Sequence, residues 1–162
     1  MLDRLYPGQV CSIARTLEVV GERWTLLVLR DAFLGLRRFD EFSRSLGIAR
    51  NILSARLQVL CDNGILERHR YQERPERFEY LLTDKGRELE VALDALMQWG
   101  DRYLAPKGPP KLMRHRGCDG QVTVATICKT CGRPLASDEV ETIPGPGHSA
   151  AAAVAAGGAV QG

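Results

Sequence analysis

The stretch from Arg37 to Thr83 constrains the fold more than any other part of the chain. Phe39, Phe42 and Leu46 fall on one face of a helix over about 38–45, and Gly47-Ile48 breaks it with a tight turn. Leu53, Leu57 and Leu60 form the buried stripe of a second helix over about 50–63, which Asn63-Gly64 can end because both residues tolerate positive φ. Two strands follow, over about 65–71 and 77–82, and in the second Phe78, Tyr80 and Leu82 alternate with charged or smaller residues. The segment between them, Gln72 to Glu76, is polar, contains Pro75 and reads as a loop. Helix, tight turn, helix and arginine-bearing hairpin, in that order, predict a winged helix-turn-helix, a mainly α fold with a small β-hairpin wing.

The flanks read as supports. Residues 1–10 form an arm with a Pro7-Gly8 turn. A first helix begins near Ser12 and puts Ile13, Leu17 and Val20 on one face. A second, over about 23–32, carries Trp24, Leu27, Val28 and Leu29 and should be the central core helix. Thr83 caps one long helix from Asp84 to about Leu104. Its apolar surface (Leu89, Leu93, Leu96, Trp99 and Tyr103 among others) exceeds what one small domain can cover, which predicts a partner helix. The expected organisation is therefore a binding and pairing domain over 1–105, a Pro/Gly linker over 106–110, a cysteine-bearing segment over 111–143, and a disordered Gly/Ala tail over 144–162.

In that late segment, His115-x2-Cys118 and Cys128-x2-Cys131-Gly132 form two ligand pairs, and residues 121–127 alternate as a strand would. Zn²⁺ takes four N or S ligands in a tetrahedron, so the four residues suit a small zinc-ribbon-like β segment with a structural ion. His148 could substitute for His115. The alternatives are free buried cysteines or a reversible Cys128–Cys131 disulfide. No organic cofactor is expected.

Charge is locally distributed. The net charge is only +2, but Arg37–Tyr80 carries nine arginines against seven acids, whereas Leu81–Ala105 carries five acids against three basic residues. No charged-then-apolar leader is visible, and no apolar run approaches the ~20 residues a membrane span needs. The expectation is a cytoplasmic protein with no membrane partner.

Several short runs taken together carry a resemblance. They are Cys11, Gly21-Glu22-Arg23-Trp24-Thr25-Leu26-Leu27, Arg38-Phe39, Gly47-Ile48, Leu53 to Leu60 with Arg56-Leu57, Asn63-Gly64, and Tyr80-Leu81-Leu82-Thr83-Asp84-Lys85-Gly86. Over about 10–105 the chain resembles the HxlR family of winged-helix transcription regulators, relatives of the MarR type. The resemblance implies a homodimer joined through its first and last helices, reading two half-sites of double-stranded DNA, and the expected function is repression at a palindromic operator. It departs from the family at Ser12, often Pro, and at Ala49, often Ser. Loss of a side-chain cap at Ala49 costs ~0.5–2 kcal/mol of local helix stability.

On the second helix of the motif, Asn51, Ser54, Ala55 and Gln58 lie opposite the leucine stripe. Short polar side chains there suit the major groove, where Arg50 can grip guanine and Asn51 adenine, and Ala55 can meet a thymine methyl. Arg37 and Arg38 suit backbone phosphates, and Arg74 and Arg77 suit phosphate or minor-groove contact from the wing. Arg56 lies to the side, for a phosphate contact or a tie to the neighbouring helix. Cys11 precedes the first helix, where the helix dipole can lower a thiol pKa. In several members of the family a cysteine here senses oxidants, which makes Cys11 a candidate redox sensor; the other reading is a small residue at the dimer contact. A small-molecule effector is also open. No nucleophile, base and orienter occur together at recognisable spacing, so catalysis is not expected. The competing classes are a zinc-ribbon adaptor for nucleic acid or protein, and a thiol oxidoreductase using Cys128 and Cys131.

Overall fold

The computed structural model describes residues 11–147. The expected arm over 1–10, His148 and the tail beyond it lie outside the described residues. The elements are α1 (Ser12–Val20), α2 (Arg23–Phe33), α3 (Phe39–Leu46), α4 (Arg50–Asp62), β1 (Leu66–Glu73), β2 (Glu76–Leu82), α5 (Asp84–Arg87), α6 (Glu90–Leu104) and a 3₁₀ turn at Ser137–Glu139. Two compact units emerge, one being Thr16–Val124 and the other joining residues 11–15 to 125–147. No described helix is long and apolar enough to cross a membrane.

The core of the larger unit collects one stripe from each element. Val28, Leu29 and Ala32 of α2 meet Phe42 of α3, Leu53, Leu57 and Leu60 of α4, and Ile65 and Leu66 at the start of the wing. Burying each large side chain contributes roughly 1.5–3 kcal/mol. Because α2 is central, its start must be held. Glu22 does this, its carboxylate accepting from Trp24 N at 2.8 Å and Thr25 N at 3.2 Å.

The helix-turn-helix turns at Gly47, whose left-handed backbone (φ 61°) closes α3. The wing is an antiparallel pair running from Leu66 opposite Leu82 to Glu73 opposite Glu76. It is longer than the sequence suggests: Gln72 and Glu73 continue β1 and Glu76 starts β2, so the turn shrinks to Arg74-Pro75. A bulge between Arg70 and Gln72 absorbs the register shift and leaves Tyr71 unpaired.

The predicted long last helix is two helices. Thr83 caps α5, accepting from Gly86 N at 3.0 Å while donating to Gly64 O at 2.7 Å. Gly86 packs against the carbonyl of Ile65, where any side chain would collide. At the junction Leu89 N bonds to Gly86 O, three residues back rather than four. The helical winding tightens there and α6 restarts at Glu90. Leu89 and Leu93 reach the core, but no residue of α6 is buried.

The expected strand over 121–127 is also absent. Only isolated bridges form there, Arg114 with Gln121 and Ile127 with Pro134. Each of these residues takes part in a short turn instead of a continuous ladder.

Candidate nucleic-acid interface

The stripe of α4 opposite its leucines is open. Asn51, Ser54, Ala55 and Gln58 are all exposed, while Leu53, Leu57 and Leu60 are buried. Gln58 Nε2 donates to Asp62 Oδ1 at 2.6 Å, which orients its amide along the helix. Arg50 stands at the start of α4, its guanidinium 4.7 Å from the Phe39 ring centroid and 3.3 Å from Asp40 Oδ1. It remains 73% exposed, so the pairing leaves it available. Ala49 occupies the N-cap in extended geometry (φ −60°, ψ 139°) with no side-chain hydrogen bond. The first amides of α4 therefore lack the side-chain acceptor that Ser would provide.

Wing and helix-turn-helix are joined through the residues before α3. Tyr80 N donates to Arg37 O at 2.7 Å, and Arg38 bridges Glu79 as a one-residue third strand. The Arg38 guanidinium is engaged on two sides, by Glu79 Oε1 at 3.0 Å and by the Tyr71 ring at 4.5 Å. Glu79 is what raises its pKa further. Glu41 accepts from the amides of Arg37 and Arg38, each at 2.8 Å, and these two bonds hold its carboxyl below its ordinary value. The α3 entrance and the wing are thus bonded directly to each other. Burial raises the Tyr80 phenol and the Cys61 thiol, which face this packed side.

The arginines predicted for one role divide by environment. Among the described residues, the side chains of Arg37, Arg74 and Arg77 have no ion-pair partner, and all three are exposed. Arg56 is different: its side chain is 18% exposed, with Nη1 3.9 Å from Glu22 Oε2. Its guanidinium reaches the neighbouring helix, where it approaches the carboxylate that caps α2. Sequence reading missed Glu22, Asp40, Tyr71 and Glu79, the side chains that hold these arginines. Only Glu22 had a local signal, its position one residue before α2; the others act across 10 to 41 positions of sequence.

A model of the HxlR-like helix-turn-helix family matches residues 19–108. The chain belongs to that family. It is 49% identical over 150 residues to an HTH-type transcriptional regulator of Mycobacterium tuberculosis, covering 92% of this chain and 94% of that one. The fold matches the crystal structure of PA1607, a candidate transcription factor, with a TM-score of 0.74, 39% identity, and coverage of 84% of this chain and 96% of that one. The redox regulator HypR in its reduced form matches with a TM-score of 0.55 and 31% identity, over 60% of this chain and 99% of that one. This member of the HxlR-like family is a DNA-binding transcription regulator and not an enzyme.

The late ligand residues form two pairs. His115 Nδ1 lies 3.1 Å from Cys118 Sγ, and Cys128 Sγ accepts hydrogen bonds from Cys131 and Thr130. Among the described residues, no group of three or more His, Cys, Asp or Glu side chains is assembled to hold a metal. Cys11 is exposed immediately before α1.

Proposed function

We propose that the protein acts in the cytoplasm as a homodimer on a palindromic operator and represses transcription there. The exposed Asn51–Gln58 face of α4, framed by Arg50 and the unpaired wing residues Arg74 and Arg77, carries the reading. A helix of this kind fits the major groove, with the wing alongside on the backbone. Pairing is supported by α6, where Val91, Leu96, Trp99 and Tyr103 are each more than half exposed. An apolar stripe of that extent on a helix with nothing buried calls for a cover. Ile13 and Leu17 leave a similar exposed strip on α1.

Footprinting on the intergenic DNA beside the gene should protect two half-sites about one helical turn apart, and affinity should fall steeply with salt. Asn51→Ala should lose ~1–3 kcal/mol of discrimination at one base pair. Arg74→Ala should weaken all sequences alike and reduce the salt slope by about 1. Equal operator binding by wild type and an Arg50/Asn51/Arg74 triple alanine variant would overturn the interface. Sedimentation of the full chain tests the dimer, and a reporter in a deletion strain should show raised transcription.

The input we propose is oxidation at Cys11. Its exposure at the start of α1 supports this, as does similarity to HypR, a redox regulator solved in reduced and oxidised forms. Diamide should release wild type from its operator and leave Cys11→Ser bound. Equal release of both proteins would discard the sensor.

A further inference from the structure

Arg38 is held on two sides, and the hold leaves one edge of its guanidinium free. Antiparallel pairing puts Arg38 directly opposite Glu79, which is itself opposite His69 in the wing. Residues directly opposite one another share a face, so the three form one row across three strands. His69 Nε2 lies 3.1 Å from Glu67 Oε1, on its own strand. Glu79 turns to the arginine instead, with Oε1 3.0 Å from Arg38 Nε. Only 23% of the Glu79 side chain is exposed, so this acceptor is largely packed in place.

The ring on the other side comes from the bulge. Arg70 pairs with Phe78 and Gln72 with Arg77, and the extra residue between them is Tyr71. A residue released from the ladder in this way can be re-aimed. The Arg38 guanidinium carbon stands 4.5 Å from the centroid of the Tyr71 ring.

A guanidinium carries five N–H donors in one plane. Glu79 takes the donor on Nε, and the Tyr71 ring covers one face. The four donors on Nη1 and Nη2 have no hydrogen-bond acceptor among the described residues, and 52% of the side chain is exposed. Phe39 and Asp40, the next two residues, hold Arg50 at the start of α4. Arg38 therefore stands where the α4 face meets the wing, with a two-nitrogen edge unengaged. Such an edge matches two oxygens of a phosphate.

We propose that Tyr71 and Glu79 are positioning residues for DNA binding: together they hold the Arg38 guanidinium so that Nη1 and Nη2 grip the two free oxygens of one backbone phosphate. This rests on the reading that the α4 face and the wing lie on DNA. A side chain that has already lost its rotamer freedom does not give it up again on contact. Phosphate contacts fix register and orientation without reading sequence, so the clasp sets how α4 sits on the groove.

The test is a double-mutant cycle on affinity for the intergenic duplex beside the gene, measured with the full chain across a salt series. Phosphate contacts carry no sequence information, so this duplex serves wherever its operator lies. Arg38→Ala should weaken binding at least about tenfold and lower the salt slope by about 1. Tyr71→Ala should weaken it about three- to fivefold, and Tyr71→Phe, which keeps the ring, should bind as wild type does. In the Arg38→Ala background, Tyr71→Ala should have no further effect. Glu79→Gln retains an acceptor and Glu79→Ala does not, at equal charge. The alanine variant should bind the more weakly of the two, and only while Arg38 is present. Unchanged affinity and slope in Arg38→Ala overturn the inference, and do so even where the Arg50/Asn51/Arg74 variant has lost binding. An equal loss from Tyr71→Ala with and without Arg38 also overturns it, because the ring then acts on the DNA or on the wing itself.

Discussion

The helix-turn-helix with its wing and the cysteine-bearing segment after it reach order by opposite means. In the first, seven large apolar side chains from α2, α3, α4 and β1 are excluded from water, and polar groups are left to decorate the outside. In the second, none of residues 106–147 is buried, and order rests on short-range backbone bonds that repeat thirteen residues apart. A core tolerates a change of surface side chain and punishes a cavity. A segment built from turns does the reverse: its apolar residues are expendable, and its left-handed positions are not.

The largest effect should come from breaking the core. Leu57→Ala leaves a cavity where the side chain is 1% exposed and should cost ~2–5 kcal/mol, read as a lower denaturant midpoint. Leu135→Ala, at a half-buried position of the late segment, should change the same transition by less than about 0.5 kcal/mol. Comparable losses would mean that the late segment has a core after all.

Arg56→Ala comes next and separates structure from recognition within the winged helix. Losing its packing and its approach to Glu22 should cost about 1 kcal/mol of stability while leaving the salt slope of operator binding unchanged. A reduced slope with unaltered melting would move Arg56 to the phosphates.

Glu41 gives a pH dependence. Its carboxyl is held low in the folded state by the amides of Arg37 and Arg38, so its stabilisation is present above the ordinary carboxylate pKa of about 4.3 and disappears as pH falls through the lowered value. Glu41→Gln should lower stability by ~0.5–1 kcal/mol at neutral pH and flatten the acid side of the melting profile. A parallel shift at every pH would show that the charge is immaterial.

The smallest change is a gain. Ala49→Ser places an acceptor at an N-cap whose backbone already has the required extended geometry, and α4 should gain about 0.5 kcal/mol. Weaker operator binding alongside that gain would indicate that the free amides of α4 contact a phosphate in the wild type.

How much was readable in advance follows from the range of the interactions. The order of elements, the Gly47 turn, the leucine stripe of α4 and the Thr83 cap were legible because each depends on residues within a turn or two of one another. The break at Leu89 was not legible, since the apolar spacing runs through it; it goes with Gly86 seated on Ile65 O, a contact made across the chain. The strand expected over 121–127 failed for a related reason. Alternation describes a strand only if a neighbour pairs along its length, and here each end closes its own turn.

The sequence by itself determined the winged helix-turn-helix and which face of α4 stays polar, because apolar period and turn chemistry are local properties. It also set His115 and Cys118, and Cys128 and Cys131, as two pairs of the same spacing. Only the tertiary structure decided how the arginines divide. Arg56 is drawn towards Glu22 and Arg38 is clasped by Glu79 and Tyr71, while Arg37, Arg74 and Arg77 remain without an ion-pair partner among the described residues. A guanidinium's role depends on the charges and rings that the fold brings beside it, and those come from distant parts of the chain.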